Sequence, residues 1–536
     1  MSEPEDRLPP SGAPSDLPSE RSRDTAPNEA SRDRDLSEAD DMEDLEELPP
    51  LKPGGEDIPL AEEGALRLED DGFRLIESRG LKRSRLHAYD EITHIYASGR
   101  NLLVGVTDDL LTIRAEDFDD PERGPDYARV ALLGRVETEP EGASQLAAMA
   151  EVDAIGEQDG PAWAVWTTIT LCLLGTGVQI VDPMFDQVGS FIPDLFLSGE
   201  YWRATTSHFL HDLSVPRFIS NIMPGIDRLP IHLVTNVGGL IVLGNLIERP
   251  LGPWRTAIVL VLSGVGSILG ILAYGHLEVL GASGLVAGLA GAMLAFELHF
   301  AHALPAFWRL PRKLFLFVLA AQFLVIDQIF SSTLAGGAHL GGFMGGYLAT
   351  WWMGAPRPTA ASMPGRLRFG AICGIAFVGL GVIGAMPLAK HEIGALERHA
   401  TRLYDTKDSP YLVRQDNLAA WLIATDGAAS PHGLDLAVAL AERAVVQTGR
   451  FAPGILDTLA ETLFQRGDAL GAVFVIEEAI RLSPSDPYYY EQRRRFTGER
   501  APEDRPEPPG ESEAPPPEEY DPGEASPGSA ADRLTI

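Results

Sequence analysis

The chain has 536 residues, 45% of them apolar, and a formal net charge of −34. That length allows several domains, and the acidity argues against a nucleic-acid partner. Its two cysteines, Cys172 and Cys373, each sit in an apolar run, which excludes a disulfide framework and reads as small apolar packing.

Residues 1–60 are rich in Pro, Ser, Asp and Glu. Such a segment cannot bury enough apolar surface to offset its ordering entropy, so disorder is expected. It holds no apolar core segment, so no cleavable signal peptide is expected either. Residues 61–150 change to short alternating runs. Phe73–Ile76 and Asp90–Tyr96 read as strands, and Leu102 to Ile113 reads as a hairpin turning at Asp108 and Asp109. A short helix is expected near Asp126 to Val136. The whole reads as a small β-rich cytoplasmic domain with a loose likeness to the pleckstrin-homology fold, serving as a docking or spacer module.

Crossing a bilayer takes about 20 mostly apolar residues. Seven segments between residues 160 and 390 qualify: 162–181, 229–247, 257–275, 281–299, 314–330, 336–353 and 369–387. The link from Asp182 to Arg228 is long and the others are short. Arg249 and Arg255, then Arg309, Arg312 and Lys313, then Arg357, Arg366 and Arg368 occupy alternate links. Those links are therefore expected on the cytoplasmic side. The N-terminus is then cytoplasmic and the C-terminus extracytoplasmic, in a multi-pass protein of the cell (inner) membrane.

Residues 400–490 return to soluble helical periodicity. Leu456, Leu459, Ala460, Leu463, Gly467, Ala472, Ile476, Ala479 and Pro484 match the spacing of a tetratricopeptide repeat. Leu418, Trp421, Leu422, Ala437, Ala441 and Ala444 form a degenerate earlier copy. A protein or peptide ligand of this repeat groove is expected. The Pro- and Glu-rich tail 498–536 reads as disordered. The fold class is thus mainly α: a polytopic membrane helix bundle, a small N-terminal β-rich domain and a C-terminal α-helical repeat domain.

Polar residues inside apolar spans are costly, so each needs a reason. His232, Asn236, Ser283 and His339 all fall near the outer ends of their spans, at a shared depth. Small residues at i and i+4 around Ser283 and His339 let two helices approach closely. The histidine then takes the proton as the serine attacks a carbonyl. No third acid is evident, so the pair reads as a dyad, and Asp327 and Gln322 in span five have no assigned partner. Ser283 starts a helix, where free N–H groups stabilise an oxyanion. His232 and Asn236, one turn apart, supply side-chain donors to it. His208-x-x-His211 has a metal-like spacing but no further ligands, so no metal and no cofactor is expected.

These residues resemble the motifs of the rhomboid intramembrane serine proteases. Gly281-x-Ser283-Gly284, followed by the spaced glycine Gly288, is similar to the family's nucleophile motif. Ala338-His339-x-x-Gly342-x-x-x-Gly346 and His232-x-x-x-Asn236 are similar to two others, as are Trp202-Arg203 in the first outer loop and Glu248 at the end of span two. The resemblance covers residues 160–355. It implies a rhomboid bundle of six core spans plus one, with Ser283 and His339 catalytic and with His232, Asn236 and Ser283 at the oxyanion. One departure is an insertion containing Pro216, Pro224 and Pro230 between Phe209-Leu210-His211 and His232. Arg217-x-x-x-Asn221 mimics the spacing of the histidine–asparagine pair. His232 and Asn236 are preferred because the apolar span follows them directly. The expected activity is cleavage of single-span membrane proteins within the lipid bilayer by a serine endopeptidase. The alternative is an inactive scaffold of the same fold that recruits partners through its repeats.

Overall fold

The computed structural model describes residues 56–61, 64–76, 85–97, 101–107, 109–156, 161–182, 185–214, 229–275, 278–300, 312–327, 335–354, 365–406 and 412–507. The N-terminal part holds two antiparallel three-stranded sheets. One is β1 (Glu56–Leu60), β2 (Gly64–Leu68) and β3 (Phe73–Ile76); the other is β4 (Ile92–Ala97), β5 (Asn101–Val106) and β6 (Asp109–Arg114). Strand alternation buries Ile58, Leu60, Leu66, Leu68 and Phe73 while Asp57 and Arg67 face out and pair. The predicted hairpin is β5–β6, with Val106 opposite Asp109. β1 lies within the segment read as disordered. Two helices follow, α1 (Gly124–Thr138) and α2 (Gly142–Gly156). The Gln145 amide donates to the carbonyls of Tyr89 and Ile92 at 2.8 and 2.6 Å, tying α2 to the edge of the second sheet.

Seven apolar helices overlap the seven predicted segments. They are α3 (Trp163–Val181), α4 (Ile231–Leu251), α5 (Pro253–Tyr274), α6 (Ser283–His299), α7 (Arg312–Ala321), α8 (Gly336–Met353) and α9 (Gly365–Ala389). Among the described residues four stretches, Trp163–Val181, Ile231–Leu251, Pro253–Tyr274 and Arg368–Ala389, are long and apolar enough to cross a membrane by length and composition. α7 continues through a widened π turn at Gln322–Ile326. The bundle core is built from Val165, Ile169, Leu240, Val259, Leu289, Met293 and Phe296. The outward faces are apolar as well. α9 alone exposes Phe369, Ile372, Ile375, Phe377, Leu380 and Ile383. A helix apolar on all sides fits lipid as its solvent. Cys373 lies on that exposed face, so only Cys172 packs in the interior.

Helices α10 (Ile393–Asp405), α11 (Val413–Thr425), α12 (Pro431–Gln447), α13 (Pro453–Arg466), α14 (Ala469–Leu482) and α15 (Pro487–Phe496) occupy the region where helical repeats were expected. Gly467 ends α13 in the left-handed conformation, and the Asp468 carboxylate accepts from the Gly471 N–H at 2.8 Å to start α14. Leu456, Ala460, Ala472, Ile476 and Ala479 are buried between these helices. The beginning of the tail is also ordered against them: Arg505 donates to Glu461 at 3.0 Å, and Arg495 to the Pro502 carbonyl at 2.9 Å.

The long link after α3 packs on these C-terminal helices. Val188, Ile192 and Leu195 share one apolar core with Leu388, Leu396, Leu403 and Leu412. The link and the C-terminal helices therefore lie on the same side of the bundle. At their junction the fully buried Glu200 receives Arg203 Nε at 2.6 Å, His399 Nδ1 at 2.6 Å and Arg402 Nη1 at 3.4 Å. Burial alone raises the Glu200 carboxyl, but His399 and Arg203 overcome it and hold it at about 2. A carboxylate held low lends stability that is complete above its ordinary value of 4.5 and fades as pH falls toward about 2. Glu200→Gln is expected to cost about 3 kcal/mol, since it leaves the buried Arg203 guanidinium without its counter-charge. Thermal unfolding of Glu200→Gln, His399→Ala and the double variant checks this. Strictly additive losses would mean that the two side chains are not coupled.

Candidate active site

Ser283 is the first residue of α6, and the first intrahelical bonds run from the N–H groups of Leu285 and Val286 to the Ala282 carbonyl. The N–H groups of Ser283 and Gly284 thus precede the helical ladder and, among the described residues, make no other hydrogen bond, so they can serve a ligand. The turn before Ser283 is held from outside the helix. Val279 and Phe191 exchange backbone bonds at 2.8 and 3.0 Å, and the Gly281 N–H donates to the Ser207 carbonyl at 2.8 Å. Gly281 adopts φ +124, a conformation side-chain-bearing residues rarely take. A Cβ there would also lie 2.5 Å from His232 Cε1. The long link therefore fixes the approach to the serine.

α6 and α8 meet through glycine. A Cβ on Gly342 would lie 3.0 Å from Gly284 Cα, and one on Gly346 would lie 2.8 Å from Gly288 Cα. Gly284 and Gly288 in turn face Ser267 and Ser263 of α5. With backbones this close, side chains at the helix ends reach one another. Ser283 Oγ lies 2.8 Å from His339 Nε2.

The other face of the imidazole carries a partner the sequence reading lacked. His339 Nδ1 lies 2.9 Å from Asp327 Oδ1, and both side chains are buried. Oδ1 also accepts from Gln322 Nε2 at 2.8 Å. An oxygen that accepts from both sides leaves the proton on His339 Nδ1, so Nε2 presents its lone pair to the serine hydroxyl. The expectation that no third acid is present is corrected on this point.

His232 lies at the start of α4. Its Nδ1 accepts from the Asp212 N–H at 3.3 Å, which leaves Nε2 as the donor nitrogen. That edge of the ring lies against Gly281, next to the serine turn. Asn236, one turn along, is buried, and its Nδ2 has no hydrogen-bond partner among the described residues. Arg217 and Asn221, the alternative pair, lie outside the described residues. His211 is held by Gln179 through bonds of 2.8 and 2.9 Å, and its ring meets His232 edge-on at 5.3 Å. Among the described residues no group of three or more His, Cys, Asp or Glu could hold a metal ion.

The remaining motif residues do structural work. Arg203 Nη1 donates to the carbonyls of Gln187 and Ser190, both at 2.8 Å, and Trp202 Nε1 donates to Val188 at 3.1 Å. Together they shape the link that braces the serine turn. Glu248, near the end of α4, accepts from the N–H groups of Ala164 and Val165, both at 2.9 Å. It caps the start of α3 from another helix.

Residues 230–356 match the Rhomboid domain family. Ser283, His339, Asp327, His232 and Asn236 all fall inside that rhomboid domain, while Trp202 and Arg203 precede it. Over 216 residues the chain is 26% identical to the Rhomboid protease GluP of Bacillus subtilis (strain 168), in a match covering 39% of this chain. The chain spans 37% of that relative's length. The matched domain and this distant relative support a membrane domain of rhomboid type in this chain. With the apolar helices they support a multi-pass membrane protein.

Proposed function

We propose that this chain is an intramembrane serine endopeptidase that cleaves the transmembrane segments of other membrane proteins. The observation that carries the reading is the 2.8 Å contact between Ser283 Oγ and His339 Nε2 at the start of a helix inside an apolar bundle. Ser283 is the nucleophile and His339 its base. The Oγ–H proton passes to Nε2 as Oγ bonds to the scissile carbonyl carbon, and the carbonyl electron pair moves onto oxygen. The Ser283 N–H, His232 Nε2–H and Asn236 Nδ2–H stabilise that oxyanion. Nε2 then returns its proton to the leaving amine, and water releases the acyl group by the same route. A helical peptide bond is shielded from attack, so substrates with helix-breaking residues near the site are favoured.

Seven crossings, with the N-terminus cytoplasmic and the C-terminus outside, belong to the same reading. The shared core of the link and the C-terminal helices supports it, because both then lie on the outer side.

Co-expression with a panel of tagged single-span proteins tests the proposal. The intact chain is expected to cut at least one of them, and Ser283→Ala none. Asn236→Ala is expected to retain partial activity, losing about 3 kcal/mol of transition-state stabilisation, since the backbone and His232 donors remain. Identical fragment patterns from intact and Ser283→Ala chains would instead favour an inactive scaffold.

A further inference from the structure

A carboxylate inside an apolar bundle is expensive, and it persists where something compensates for it or uses it. Asp327 is 2% exposed. It lies just past the π turn at Gln322–Ile326, which replaces the regular i→i+4 pattern with i→i+5 bonding. That widening stacks Gln322 over Asp327, five residues on, and lets the Gln322 amide hold Oδ1 at 2.8 Å. The same oxygen meets His339 Nδ1 at 2.9 Å. Gly336, at the start of α8, makes room: a Cβ there would lie 3.3 Å from Asp327 Cβ. The second oxygen, Oδ2, is buried with no partner among the described residues. The carboxylate's hydrogen bonds thus converge on one oxygen, the one that faces the imidazole.

We propose that Asp327 is a positioning residue that turns the serine–histidine pair into a three-residue array. This rests on the reading of Ser283 as nucleophile and His339 as base. When Nε2 takes the Ser283 proton, the imidazole becomes a cation with both nitrogens protonated. Asp327 keeps its hydrogen bond to the Nδ1–H and offsets the new charge. When Nε2 gives its proton to the leaving amine, the ring returns to the neutral Nδ1–H form. Asp327 accepts no proton at any step, so the balance of atoms is that of the two-residue mechanism.

Among the described residues, the titratable neighbours of His339 are few. α7 brings Asp327 through its continuation, and α4 brings His232. From α6 comes the Ser283 hydroxyl. Removing the carboxylate that meets Nδ1 should therefore make the imidazolium harder to form. The acid limb of the kcat/KM profile should then move to lower pH.

The test uses the full chain in lipid nanodiscs with a fluorogenic single-span substrate. Asp327→Asn is expected to lower kcat by about 10²- to 10⁴-fold with KM within about twofold, and to shift the acid limb down. Asp327→Glu is expected to recover about tenfold or more of that loss, because it restores the charge. Gln322→Met removes only the bond that orients the carboxylate. It is expected to lower kcat by about 3- to 10-fold, and it decides the matter if Asp327→Asn does not fold. An unchanged kcat and acid limb in these variants, with Ser283→Ala inactive, would overturn the role of Asp327 and leave the serine–histidine reading standing. A loss of kcat with an unmoved acid limb and no recovery in Asp327→Glu would overturn it equally, in favour of a packing role. An active Ser283→Ala would remove the underlying reading itself.

Discussion

Ser283→Ala and His339→Ala are each expected to lower proteolysis by roughly 10⁴- to 10⁶-fold, and the double variant no further. The serine without its base is a weak nucleophile, and the base without the serine has no proton to take. The 2.8 Å contact makes them one unit, so their effects should not add. Neither side chain carries the packing of the bundle, which rests on glycine contacts and on Leu285, Leu289, Met293 and Phe296. Both variants are therefore expected to insert and fold, and a thermal unfolding profile close to that of the intact chain checks this. A doubly substituted chain slower than either single variant would show that the two residues act separately.

The second large effect comes from a residue that touches no substrate. Gly346→Ala places a Cβ 2.8 Å from Gly288 Cα, and closer still to its carbonyl oxygen. The helices α6 and α8 must separate, because the obstacle is backbone and cannot rotate away. Overpacking of this kind costs about 1–3 kcal/mol. A shift of about 1 Å at the Ser283–His339 pair can cost on the order of 10²-fold in rate. Gly379→Ala in α9, where a Cβ meets nothing within 4 Å, is the control and is expected to leave stability and activity intact. Thermal unfolding and initial rates of the two variants side by side decide the point. Equal behaviour would mean that the close approach of α6 and α8 does not hold.

How much of this was legible in the sequence depended on how local the signal was. Ser283, His339, His232 and Asn236 stood out because each is polar within an apolar run and each has glycines or an apolar span beside it. The helix ends could be read from Gly and Pro. Asp327 was visible as a charge but not as a partner of His339, because their contact depends on the π turn and on the meeting of two helices. The Glu200–His399 pair joins residues 199 apart in the chain, and no periodicity announces such a pair. β1 was hidden by its composition: Glu56, Asp57 and Pro59 read as disordered chain, yet Pro59 is tolerated on an edge strand. The outward position of Cys373 was equally invisible, since an apolar run does not say which face meets lipid.

A fluorophosphonate probe, followed by peptide mapping, measures the central claim most directly. The reagent reports an activated serine and needs no knowledge of the natural substrate. The expected result is a single adduct on Ser283 in the intact chain in nanodiscs, absent in Ser283→Ala and strongly reduced in His339→Ala. No adduct on Ser283 in the folded intact chain, or equal labelling in the folded His339→Ala chain, would contradict it.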